Sequence, residues 1–338
     1  MKAFLLLLLL PLIGSAQQYT LKPLTGGTNT SIRGLSVVDD RVAWVSGSNG
    51  YVGKTVDGGS SWTWTKPAGF DGLDFRDIEA FDDTHAVIVN AGSPAFILLT
   101  EDGGNSWRQS YVNRDSAIFL DGMDFWDARQ GMIFGDPIKG KLQILRTTSG
   151  GANWDNISRN LKHSLTMGEA GFAASGTTIK TLDKGKAWIA TGGAAANIYF
   201  SKDYGNRWKR YANPMIQGLN STGAFSIDFY DEKNGIVVGG DYLKDQESTN
   251  NAFYTTNGGK SWIKPEVSVF GYRSAVSYIT KNVCIAGGSS GVDLSTDGGK
   301  TWQNISAENI NAIQKAKSGK LMLLTGNKGT IYRLDTQP

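Results

Sequence analysis

The sequence predicts an all-β chain: a seven-bladed β-propeller of four-stranded antiparallel blades, with its ring closed by the N-terminal strand. Three observations predict this. A short turn motif recurs six times, an apolar strand recurs seven times, and the last repeat lacks a strand that the start of the chain can supply.

The turns read Thr55-x-Asp57-Gly58-Gly59-x-Ser61-Trp62, Thr100-x-Asp102-Gly103-Gly104-x-Ser106-Trp107 and Thr147-x-Ser149-Gly150-Gly151-x-Asn153-Trp154. They continue as Ser201-x-Asp203-x-Gly205-x-Arg207-Trp208, Thr255-x-Asn257-Gly258-Gly259-x-Ser261-Trp262 and Ser295-x-Asp297-Gly298-Gly299-x-Thr301-Trp302. The tryptophans lie roughly 40 to 54 residues apart, a spacing typical of repeat architectures. A short polar side chain accepts hydrogen bonds from its own turn, the glycine supplies positive φ, and the tryptophan buries a large ring. The pattern resembles the Asp box, or bacterial neuraminidase repeat. Two copies replace the acid with Ser149 and Asn257. A metal-ligand set does not tolerate such losses easily, whereas a turn does, so Asp57, Asp102, Asp203 and Asp297 read as structural.

Strand signals surround each turn in the same order. In the second repeat, residues 75–81 alternate as a first strand, 85–89 form an apolar second, 96–100 a third that enters the turn, and 107–112 a fourth. The apolar second strand recurs at 42–45, 132–134, 187–190, 236–238, 283–286 and 321–324, which makes seven repeats for six turns. The last repeat runs only through a third strand at 330–333. Residues 18–23, with Tyr19 at the tryptophan position, are the expected fourth strand, and closure removes the edges of an open array. The other reading of this segment is a disordered leader.

Residues 1–16 carry a lysine, an apolar run over 5–13 and a small-residue exit, Gly14-Ser15-Ala16, the pattern of a secretory signal peptide. The expectation is therefore an exported protein, periplasmic or secreted, with residues 17–338 as one domain and no membrane span. Lys and Arg number 34 against 31 Asp and Glu, so no charge bias points to nucleic acid. Cys284 is the only cysteine, which rules out an intrachain disulfide. With two histidines, a His-rich metal site is not expected, and no fingerprint for a cofactor is visible. A monomer is expected.

In a propeller the first strands line the central channel, and the loops that enter them form its mouth, opposite the repeated turns. Aligned on those strands, Arg33, Arg76 and Arg273 occupy one position in repeats one, two and six, with Asp121 there in repeat three. Neighbouring loops add Asp136, Asp241 and Asn327, and Glu169 precedes the fourth repeat. Arginine forks suit carboxylate or phosphate, so Arg33, Arg76, Arg273, Asp121 and Asn327 form a candidate anion site. The alternative is that these charges pair with one another around the channel. Catalytic candidates are Glu169, Asp136, Asp241 and Tyr272, the last as nucleophile or as wall.

Phe134-Gly135-Asp136-Pro137, the run from Gly168 to Thr177 (GEAGFAASGT) and Gly239-Gly240-Asp241-Tyr242 are similar to exported bacterial propellers of the photosystem II stability/assembly factor-like family. The resemblance covers most of residues 17–338 and implies a seven-bladed propeller with a binding or assembly role. Members of that group are often called oxidoreductases. Sialidases share the turns but have six blades and an Arg-Ile-Pro motif where this chain reads Arg33-Gly34-Leu35. The expected function is an exported scaffold or assembly-factor-like protein with a ligand site at the channel mouth, taking a protein partner or an anionic glycan. A glycoside hydrolase or lyase acting on an anionic sugar is the second reading, with Glu169 or Asp136 as acid/base. An oxidoreductase is the third.

Overall fold

A computed structural model describes residues 18–24 and 27–337; the signal peptide expected over residues 1–16 lies outside them. Seven antiparallel sheets follow one another around a ring. Blade 1 is Ile32–Val37, Ala43–Gly47, Val52–Thr55 and Thr63–Thr65, from channel to rim. Blade 2 is Phe75–Ala80, Ala86–Asn90, Ala95–Thr100 and Arg108–Asn113, within two residues of the sequence expectation. The inner strands of the remaining blades are Leu120–Phe125, Ile179–Leu182, Thr222–Phe229, Ala275–Tyr278 and Ala312–Lys315. No helix among the described residues is long and apolar enough to cross a membrane.

The ring closes as expected. Gln18–Leu24 forms the outermost strand of blade 7, antiparallel to Ile331–Gln337, with Leu21 opposite Leu334 and Tyr19 opposite Thr336. Blade 5 departs from the four-strand pattern. After Trp262 its outer strand shrinks to a single bridge between Tyr254 and Ile263. Pro265 has no N–H to continue the ladder, and the chain turns to blade 6, where Trp302 N donates to Val267 O at 3.1 Å. The short pairs Glu169–Ala170 and Gly192–Gly193 extend the sheet of blade 5 instead.

The repeated turns are staples on the rim. Asp57 Oδ1 accepts from Ser61 N at 2.9 Å and Thr55 Oγ1 at 2.8 Å, and Oδ2 accepts from Ser61 Oγ at 2.6 Å. Those hydrogen bonds hold the Asp57 carboxyl down at about 2. The substituted turns keep the same bonds, from Asn153 N to Ser149 Oγ at 3.0 Å and from Ser261 N to Asn257 Oδ1 at 3.1 Å. Trp154, Trp208 and Trp302 each donate the indole N–H to a glycine carbonyl of their own turn.

An Asn257→Asp variant is expected to raise the urea midpoint at pH 7, because Asn257 accepts two bonds and donates a third to Ser261 Oγ at 2.8 Å, whereas a carboxylate accepts all three with charge assistance. A depressed carboxyl stabilises above its unfolded value near 3.9 and loses that contribution as pH falls through its folded value. If the new acid behaves as Asp57 does, the gain disappears at about pH 2. Urea titrations of both proteins at pH 7 and near pH 2 check this.

Adjacent blades are joined by a device that the sequence reading missed. On four inner strands, the residue after the central apolar one accepts an N–H from the next blade. Ser36 Oγ accepts from Ala80 N at 3.0 Å, Asp124 Oδ2 from Thr181 N at 2.6 Å, Asp228 Oδ2 from Tyr278 N at 2.8 Å, and Gln314 Oε1 from Val37 N at 2.8 Å. Buried Asp77 does the same two positions earlier in the pattern, accepting from Met123 N at 2.6 Å. Lys180, ion-paired to Asp228 at 3.1 Å, offsets part of this buried negative charge.

Candidate functional site

Inner strands begin with a register shift, and that irregularity builds the channel mouth. The ladder skips Arg33 between Ile32 and Gly34, Arg76 between Phe75 and Asp77, Asp121 between Leu120 and Gly122, and Phe225 between Ala224 and Ser226. A bulged residue is unpaired and its side chain is re-aimed, here toward the axis. Together with Ser274 and Asn311, these four line a cavity of about 520 Å³. Asp136, Tyr272 and Asn327 complete the set that sequence reasoning placed there.

Arg273 is not part of it. In blade 6 the central apolar residue is Val276, paired with Ala286 as Leu35 is paired with Val45. Two residues before it stands Ser274, the true equivalent of Arg33. Arg273 is one residue further out, and a one-residue slip along a strand reverses the face. Its guanidinium is 0% exposed. Nε donates to Asp293 Oδ2 at 2.8 Å, Nη2 approaches the same oxygen at 2.6 Å, and Nη1 donates to Ser290 Oγ at 2.6 Å.

Two further candidates are also held away from the cavity. Buried Glu169 accepts through Oε1 from Thr191 Oγ1, Asn197 Nδ2 and the Tyr199 hydroxyl at 2.7, 3.0 and 2.8 Å, which fixes the start of the following segment. Asp241 Oδ1 accepts from Leu243 N at 3.0 Å and shapes its own turn. Neither lines the cavity, so the four catalytic candidates do not converge. Tyr272 is a wall: it is buried, its ring meets Phe225 edge-on at 4.8 Å, and burial pushes its phenol up. Burial likewise pushes the Cys284 thiol up, as befits a core side chain.

The mouth is crossed by a strap of the chain itself, residues 171–177. Gly171 N donates to Asp136 Oδ1 at 2.9 Å in blade 3, and Arg76 Nη1 donates to Ala173 O at 3.3 Å. Arg33 Nη1 donates to Ala174 O at 2.9 Å, and Ser175 Oγ donates to Ser274 O at 2.7 Å in blade 6. Phe172 stacks on Phe225 at 3.9 Å. Sequence reasoning marked this stretch as characteristic but not as a strap. Its small residues are the available signal: a Cβ on Gly171 would sit 2.3 Å from Asp121 Oδ2, and one on Gly176 would sit 2.3 Å from the Asp77 carboxyl.

Charge at the mouth is uneven. Arg76 Nε pairs with Asp74 at 2.7 Å, while Arg33 donates to the strap carbonyl and is pushed down by burial and by Arg76. Asp121 is 2% exposed and neither of its oxygens has a hydrogen-bond partner. Burial first, then Asp136, pushes its carboxyl well up. A raised carboxyl favours the folded state below its unfolded value near 3.9, and this is lost as pH rises toward the folded value. Asp121→Asn is therefore expected to be more stable than the native chain at pH 8, by about 1–3 kcal/mol, and level with it near pH 3. Urea midpoints across that range check the prediction.

Residues 71–221 match the family model described as photosynthesis system II assembly factor YCF48. YCF48 solved bound to a D1 peptide has the same fold, with a TM-score of 0.67 and 17% identity over 94% of this chain and 97% of that one. The chain is a seven-bladed β-propeller whose residues 71–221 are similar to that assembly factor. YCF48 from Cyanidioschyzon merolae is similar to this chain at a TM-score of 0.64 and 16% identity, over 93% of this chain and 98% of that one. The WD40 repeats of RRP9 follow at 0.63 and 13%, over 94% and 97%, so at these identities the likeness is one of fold. No curated protein matches this sequence significantly.

Proposed function

We propose that this protein is an exported scaffold of the assembly-factor kind, and that it holds a segment of a partner polypeptide at the channel mouth with a carboxylate on Arg33 and Arg76. One observation carries the reading: two arginines from adjacent blades converge on one cavity, where they already donate to polypeptide carbonyls of residues 173 and 174. A carboxylate in place of a neutral carbonyl makes those bonds charge-assisted. The D1 peptide bound to the similarly folded YCF48 supports a peptide as the occupant. Export rests on the pattern of residues 1–16, and residues 17–338 act as one unit in this reading. N-terminal sequencing of the protein from its native host tests export, with Gln17 as the expected first residue.

A fluorescent library of decapeptides with free C-termini, titrated against the native chain and an Arg33→Ala/Arg76→Ala variant, tests the site. Binding is expected to weaken at least tenfold in the variant and on amidation of the peptides. Uronate- and sialate-bearing glycans form a parallel arm. Arginine-dependent glycan binding without peptide binding overturns the proposal in favour of the sugar.

A further inference from the structure

Of nine large apolar side chains exposed among the described residues, five gather on part of the mouth face. Met167, Leu219 and Phe270 stand in segments that lead to inner strands of blades 4 to 6, and Tyr242 and Leu243 in the loop between the second and third strands of blade 5. Leu243 is 73% exposed and Phe270 56%. Their loops are tied edge to edge. Ala194 N donates to Gly168 O and Gly218 N to Gly193 O, both at 2.9 Å. Tyr242 N donates to Ser221 O at 3.3 Å, and Tyr272 N to Asp245 O at 2.8 Å. The five side chains therefore form one connected arc and not separate surface events.

The arc runs into the cavity. Tyr242 belongs to both, as does Asn220 next to Leu219, and the Tyr242 ring meets Phe225 of the cavity wall at 6.0 Å. Arg33 and Arg76 reach the same cavity from blades 1 and 2, so it is cationic at one side and apolar at the other. Asp245 and Glu247 share the blade 5 loop with Lys244, which leaves no basic surplus to attract an anionic bilayer.

We propose that the arc over blades 4 to 6 is a docking track for an apolar peptide segment that ends in a carboxylate, the carboxylate seated on Arg33 and Arg76 and the preceding side chains lying across Tyr242, Leu243 and Phe270. An extended peptide alternates its side chains every ~3.3 Å, so about five residues reach from the arginines over the arc. This rests on the peptide reading above and adds the composition and direction of the partner. Main-chain bonds to the mouth give affinity, and the apolar arc selects the side chains.

Two labelled decapeptides test it, one with Leu, Val and Phe in its last six positions and one with Ser and Gln there, each as free acid and as amide. They are titrated into the native chain, Leu243→Ser/Phe270→Ser and Arg33→Ala/Arg76→Ala, with thermal melts confirming that each variant is folded. The apolar acid is expected to bind the native chain at least tenfold more tightly than the polar acid. Leu243→Ser/Phe270→Ser should bring the two within threefold while keeping the preference for acid over amide. Acid-dependent binding with no apolar preference overturns the track and leaves the carboxylate reading standing. Apolar preference with no acid preference, or no peptide binding at all, overturns both. Binding of phosphatidylglycerol vesicles that only Leu243→Ser/Phe270→Ser abolishes, with peptide binding unchanged, overturns the track in favour of a membrane.

Discussion

Deleting residues 18–24 is expected to open the ring and to be the most damaging small truncation of this protein. The segment pairs with Ile331–Gln337 over seven register positions. Tyr19 and Leu21 pack against the core between blades 6 and 7, and Leu24 packs against the core between blades 7 and 1. Full burial of a large apolar side chain stabilises by about 1.5–3 kcal/mol, so three half-buried ones contribute roughly 3–4 kcal/mol. That is a large share of the 5–15 kcal/mol typical of a domain, and a drop of roughly 5 °C or more in melting temperature follows. The loss also bares the edge of Ile331–Gln337, a template for pairing with a second chain. Size-exclusion chromatography should therefore show association as well as the lower melting point. A synthetic peptide of residues 18–24, added in excess, should restore both by strand addition. A truncated chain that melts with the native one and stays monomeric would show that the segment closes nothing.

The fold was legible because its signals are local and repeated. Six turns need the same polar acceptor, glycine and tryptophan, and their bonds depend on nothing outside the turn, as Ser149 and Asn257 demonstrate. The closing strand was legible by counting. The mouth was legible in part, since Arg33, Arg76, Asp121, Asp136, Tyr272 and Asn327 line one cavity. What failed was register. Counting back two from the apolar residues Leu35, Ile78, Met123, Ile227, Val276 and Ile313 gives 33, 76, 121, 225, 274 and 311, all of them cavity residues. Counting from charge alone picked Arg273. The strap was harder to read because three of its four bonds to blades 1, 2, 3 and 6 use its own backbone atoms, which leaves its small residues as the one residue-type signal.

Arg273→Met is the second variant with a large expected effect, and it separates a structural arginine from a binding one. Asp293, 1% exposed, would keep its bonds from Phe270 N at 2.8 Å and Asn304 Nδ2 at 3.1 Å but lose its only cation. Breaking one partner out of a buried ion pair costs about 3–5 kcal/mol, far more than the pair itself is worth, because the remaining charge has nowhere to go. Urea unfolding should show a loss of that size, and Arg273→Met/Asp293→Leu should recover most of it. Blades 1 and 2 carry Gly53 and Leu98 at the position of Asp293, two before the Ser or Thr of the turn. At the position of Arg273 itself these blades carry Ile32 and Phe75, so the pair has no counterpart there, while Arg33 and Arg76 stand one residue further along, where the register shift turns them to the mouth. Unchanged peptide affinity in the folded Arg273→Met protein is the matching expectation. A tenfold loss of affinity with native stability would return Arg273 to the site.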